Sequence, residues 1–156
     1  MPHDIKLLSD GRLVVANGGI VTDPSDRTKL NVDTMRPNLT VLADGVIVGQ
    51  MKLAAEYHQN LICHLALLPD RIAFAMQSEG DPAEPVPLLG LWQPGQAARL
   101  CPAADAMKGH AGSIAATAGR IAVTSARVVW MIQAARLPAI TARICPAWRR
   151  WGRGLS

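Results

Sequence analysis

Four polar side chains stand where a chain of short strands would offer them to a ligand: Asn17, Arg36, His64 and Gln77. Asn17 and Gln77 close the strand-like runs "LVVAN" and "AFAMQ", and Ser125 closes a third, "RIAVTS". Polar groups at strand ends either meet a ligand or cap the backbone, and capping is the commoner use. Arg36 lies in "DTMRPN", where the following proline holds it extended in a loop. Its guanidinium suits a carboxylate or phosphate gripped by two parallel bonds, or a tie within the loop to Asp33 or Asp23.

Metal chemistry would draw on His58, His64 and His110. The six-residue step from His58 to His64 fits no compact ligand motif. Met35 and Met76 offer thioethers, but methionine in an apolar run is ordinarily core filler. Catalysis fares worse. Ser113 in "HAGSIAA" is near His110 in sequence but lacks the Gly-x-Ser-x-Gly elbow. Glu79, Asp81 and Glu84 occupy the Pro-rich run "SEGDPAEPVP", which reads as a solvated surface. No residue set makes an enzyme, and the residues identify no cofactor.

The elements that would hold these side chains follow from three stretches aligned on arginine: "KLLSDGRLVVANGG", "ALLPDRIAFAMQSEG" and "AATAGRIAVTSAR". Each runs from apolar or small residues through a turn to Arg and then a strand. The anchors are Arg12, Arg71 and Arg120. Between them lie two more hairpins, one turning at Ala43-Asp44-Gly45 and one at Gln93-Pro94-Gly95-Gln96. A recurrence near 50 residues with about four strands per unit is a β-propeller blade. Strands as apolar as "RIAFAM" and "LLGLW" fit a blade covered on both faces. The expected fold is therefore all-β, with antiparallel four-stranded blades numbering about two and a half to three. A dinucleotide fold is excluded, because "NGGIVTDPSDRTKLNV" carries Pro24 and no helical period after its glycines.

Composition agrees. The 156 residues include 13 Gly and 11 Pro, are 49% hydrophobic and hold only one Phe, one Tyr and four Trp. The net charge of +4 is uneven. Residues 1–125 hold 10 Lys and Arg against 12 Asp and Glu, while residues 126–156 hold six Arg and no acid. A basic tail without a basic face speaks against nucleic acid. Cys63, Cys101 and Cys145 have no short spacing, so neither a zinc knuckle nor a disulfide framework follows. No apolar run reaches transmembrane length, and "MPHDIKLLSDGR" lacks the form of a signal peptide, so the chain as written is expected to stay cytoplasmic.

Several motifs in order resemble the bacterial domain of unknown function 1513 family. They are Asn17-Gly18-Gly19, Lys29-Leu30-Asn31, Asp33-Thr34-Met35-Arg36-Pro37, His58-Gln59, His64-Leu65-Ala66, and Gln77 with Gly80. The resemblance covers roughly residues 5–125. It implies a seven-bladed, WD40-like propeller, usually exported to the periplasm and often encoded beside iron-uptake and haem-peroxidase-like genes. It thus implies a non-enzymatic binding or scaffold module of the envelope. A protein partner or small ligand would sit at the propeller's channel face. The rival implication is a redox or cofactor-binding accessory to a haem or metal enzyme.

Two departures stand out. Cys63 replaces the arginine of the family pattern "SIRHLA", and the pattern stops after Ser125. Residues 1–125 are therefore read as a partial propeller and 126–156 as an atypical, non-native or disordered basic tail, as a frameshift would give. A truncated product without function is a third expectation, since unmatched blades leave apolar faces and strand edges open.

Overall fold

The structure, a computed structural model, describes residues 1–81, 83–102, 109–117, 119–125, 128–133 and 149–153. Its strands form three four-stranded antiparallel sheets in chain order. Sheet one holds β1 (Pro2–Leu7), β2 (Leu13–Asn17), β3 (Asn38–Ala43) and β4 (Val46–Lys52). Sheet two holds β5 (Asn60–Leu67), β6 (Ile72–Ser78), β7 (Pro87–Trp92) and β8 (Arg99–Pro102). Sheet three holds β9 (Ile114–Thr117), β10 (Arg120–Ser125), β11 (Val128–Gln133) and β12 (Arg149–Arg153). Each sheet is a simple meander, so every strand pairs with its neighbour in sequence. The all-β blade architecture is the one the hairpin recurrence predicts.

The turns fall where the sequence places them. Ala43-Asp44-Gly45 joins β3 to β4, and Gln96 N–H closes a turn on Gln93 O at 3.0 Å. Trp92 adds a bond from its indole N–H to Gln96 O at 3.1 Å. The three arginines occupy equivalent places at the start of each second strand. The pairs Leu7↔Leu13 and Leu67↔Ile72 close their hairpins just after Arg12 and Arg71, and Arg120 pairs with Thr117. Counted from these anchors, Asn17 and Ser125 share a position with Met76, and Gln77 lies one residue further.

Alternation along each second strand decides which face meets which neighbour. Val14, Ala16, Leu39, Val41 and Met51 of sheet one pack on Ile62, Leu65, Ile72, Phe74, Met76, Trp92 and Leu100 of sheet two. The opposite face of sheet two, with Ala66, Ala73, Ala75, Leu89, Leu91 and Cys101, packs on Ile121 and Val123 of sheet three. The front of each sheet, the face toward the next, thus carries small residues on its second strand: Val14 and Ala16, then Ala73 and Ala75. The back carries larger ones: Ile72 and Phe74, then Ile121 and Val123. First strands lie nearest each other, β1 beside β5 and β5 beside β9.

Phe74 is wholly buried, and its ring lies directly over Gly90 of β7, where a Cβ would overlap it. That glycine is what lets one aromatic ring fill the centre of a core made mostly of aliphatic residues.

Two of the four strands of sheet three come from beyond residue 125. β11 pairs with β10 from Arg120↔Gln133 to Ser125↔Val128. The stretch "ARVVWMIQAARL" therefore contributes a strand over Val128–Gln133. Cys145 and most of the basic tail lie outside the described residues. Among the described residues no helix is long and apolar enough to cross a membrane.

Candidate binding face

Several motif residues lie in the long loop between β2 and β3 of sheet one, residues 18–37. The loop from β2 to β3 is pinned at several points. Asn31 accepts the Val21 N–H at 2.6 Å on its side-chain oxygen and donates to Gly19 O at 2.9 Å. Gly19 has φ +73°, and a Cβ there would come within 2.6–2.7 Å of the Arg36–Pro37 backbone. Only glycine meets both conditions. Met35 is fully buried in a small cluster with Ile20, Leu61 and Cys63. Most of the family-like motif thus knits one loop onto the sheets.

That loop reaches the next sheet through charged groups. Lys29 forms an ion pair with Glu79, and Gln77 donates to the other Glu79 oxygen at 3.0 Å. Glu79 N–H bonds Gln59 O at 2.9 Å, and the Gln59 amide reaches Asp33 at 3.5 Å. The Glu79 side chain is only 7% exposed, against 48% for Lys29. The sequence expectation of a solvated Glu79 is therefore corrected. Neighbouring loops fold over it, and two donors replace the water it loses. Asp81 remains on the surface, as expected, accepting the Ala83 N–H at 2.8 Å. Lys29 and Glu79 were not readable as partners because 50 residues separate them.

Arg36 is exposed on this loop. Its guanidinium donates to Met35 O at 2.9 Å, and among the described residues it forms no ion pair. The tie to Asp33 or Asp23 that the sequence allowed is not made: Asp23 instead caps the turn through Ser25, and Asp33 meets Gln59.

The other candidates separate. Asn17 lies on the back of sheet one in a polar ladder, donating to Asn38 at 3.0 Å, while Thr40 and Gln50 complete the set. His58 caps a short 3-10 turn, its Nδ1 at 2.9 Å from Ala55 O. His110 is exposed; it bridges to Gln77 through its backbone, and its carbonyl takes the Ser125 hydroxyl at 2.8 Å. Ser113 is exposed, and its carbonyl takes the Thr124 N–H at 2.9 Å. Among the described residues no group of three or more His, Cys, Asp and Glu is placed to hold a metal.

His64 does gain a partner, though not one the spacing suggested. β1 and β5 carry bulges at equivalent places, next to Asp4↔Ala16 and His64↔Ala75. Bulges re-aim side chains and often stand beside sites. Here they bring His3 close enough to His64 for the two to interact. Burial, the charge of the amino terminus and His64 together hold the His3 imidazole below its ordinary value. Asp4 crosses the same gap and takes the Leu65 N–H at 2.8 Å, satisfying a donor on the free edge of β5. Cys63, at the second bulge, is buried, and burial pushes its thiol up to about 11. A thiol held protonated by burial is a poor nucleophile.

The model of a family of proteins of unknown function, DUF1513, matches residues 1–138. The chain belongs to the DUF1513 family. No curated protein matches it. The DUF1513 match continues through β11, past the point where the sequence motifs stop. Within this DUF1513 chain, Asn17, Arg36 and Gln77 occupy three settings: the back of one sheet, an exposed loop, and a buried carboxylate network.

Proposed function

We propose that the chain is a non-enzymatic binding or scaffold module that takes an anionic group, a carboxylate or phosphate of a small ligand or protein partner, at Arg36. The observation that carries this reading is an exposed guanidinium without an acidic partner among the described residues, on a loop held rigid by Asn31, Gly19 and buried Met35. A pre-ordered loop loses little entropy on binding, and a guanidinium with free donors matches both anions. An envelope location and a link to iron uptake belong to this proposal through the family resemblance. The cofactor reading has less behind it, since His58 caps a 3-10 turn and His64 lies at a strand bulge, in different local settings.

Thermal melts in inorganic phosphate and in succinate, against chloride at equal ionic strength, test the reading. A ligand that binds only the folded chain raises the melting temperature with concentration. The expected result is a rise that Arg36→Ala removes while leaving the melt in chloride unchanged. Equal melts in all three salts sink anion binding at this loop. Visible absorbance or stoichiometric iron in the purified protein would favour the cofactor reading instead.

A further inference from the structure

We infer that the ends of the sheets opposite the Arg36 loop hold a second binding site, which takes a zwitterionic small molecule of dipeptide size with an apolar side chain. The meander puts the β1–β2, β5–β6 and β9–β10 turns at one end of the sheets and the β2–β3 loop at the other. Among those turns lies an open cavity of about 390 Å³. Its walls come from the β1–β2 turn, the β5–β6 turn with the strand residues beside it, Pro94 of the β7–β8 turn and Thr117 of β9. The cavity thus lies between neighbouring sheets, not on the outer face of the first or the third. Its volume is at the small end of ligand cavities.

The lining has two parts. One is apolar: Leu8, Leu67, Leu68, Pro69, Ile72 and Pro94. The other is an ion pair that occurs twice. Arg12 and Arg71, equivalent in the repeat, each fold onto an aspartate of their own turn, Asp10 and Asp70. The spacing along the chain differs, two residues in one turn and one in the other, yet both guanidiniums use the same edge. Nε donates at 2.9 Å in each, and Nη2 pairs at 2.7 Å with Asp10 and at 2.5 Å with Asp70. The Nη1 groups have no acceptor among the described residues. Pairs this exposed add little to stability. Their effect is to hold two guanidiniums at the cavity wall with one edge free to donate. The turns are fixed as well, Leu8 N–H bonding Arg12 O at 2.7 Å and Leu68 N–H bonding Arg71 O at 2.9 Å.

The hydrogen bonds from arginine hold both carboxyls below their ordinary range, so the wall carries two positive and two negative charges at neutral pH. A ligand with one sign of charge meets attraction and repulsion together. A zwitterion meets a partner at each end. Its carboxylate takes the free Nη1 donors, its ammonium takes remaining lone pairs of Asp10 or Asp70, and its side chain lies on the leucines and prolines. Ser9 and Thr117 bring hydroxyls to the same wall.

Isothermal titration of the whole chain tests this with L-leucyl-L-leucine, its N-acetyl form and its C-terminal amide. Saturable binding of the free dipeptide is expected, with each blocked form weaker by about tenfold or more. Arg71→Gln should weaken the free dipeptide by about tenfold while leaving the circular-dichroism melt unchanged. Arg12→Gln takes its place if that melt shifts. Absence of binding by the free dipeptide overturns the inference. So does a blocked form that binds as tightly as the free one, or an affinity indifferent to both arginine substitutions. The site does not rest on Arg36, so the phosphate and succinate melts can fail while this binding holds.

Discussion

Single residues show how a core poor in aromatics is assembled. Phe74 can lie across β7 only because position 90 has no Cβ. Gly90→Ala should cost about 1–3 kcal/mol through overpacking, and Phe74→Leu in the same chain should return part of that loss in a denaturant melt. His3 makes a prediction of opposite character. Its folded value lies below the ordinary 6.5, so the unfolded chain binds the proton more readily. Stability should therefore be unaffected well above 6.5 and should fall as pH drops through 6.5 toward the folded value. His3→Gln should flatten that dependence when melting temperature is followed across the range. At Glu79, Lys29→Met removes one of two donors to a nearly buried carboxylate and should cost about 1–3 kcal/mol. A double-mutant cycle with Glu79→Gln would show the coupling.

At the level of elements, the β2–β3 loop is a tertiary object rather than a flexible connection. Asn31 clamps both of its arms, so Asn31→Ala should leave a part-buried Gly19 carbonyl and the Val21 amide without their partner. Faster proteolysis within residues 18–37 is the expected sign, with the sheets still intact. Strand β11 offers a second test. If residues beyond Ser125 contributed nothing, a chain ending there would melt like the whole. The six paired residues of β10 and β11 predict instead a clear drop in melting temperature, because truncation bares the outer edge of β10.

Across the molecule, three sheets repeat one relation: small front against large back, with first strands nearest each other. Among the described residues, Ile5, Leu7, Leu13 and Ile47 of sheet one are large apolar side chains left exposed. Solubility should therefore respond to substitutions on Ile5, Leu7 and Ile47 far more than to equally conservative changes on the loop face. Turbidity during concentration of the variants checks this.

The sequence by itself determined the hairpins up to Ser125 and a recurrence of about four strands per unit; β11 and β12, which complete sheet three, lie where its pattern stops. The hairpins depend on local alternation, on turn residues such as Asp44-Gly45 and on the recurring arginines, all set within a dozen residues. The motifs that resemble DUF1513 were equally legible, since order and spacing along the chain carry them. The partnerships were not. Glu79 reads as a surface acid until a loop 50 residues away folds over it, and His3 gains His64 only when two bulged first strands lie side by side. Arg36 reads as a tie to Asp33 or Asp23 until those carboxylates find Gln59 and Ser25. Period-two alternation states that a residue faces one side of its sheet, but which neighbour occupies that side is a long-range fact. Only the stacking of the sheets decided which polar groups are buried, which are exposed, and which face remains open.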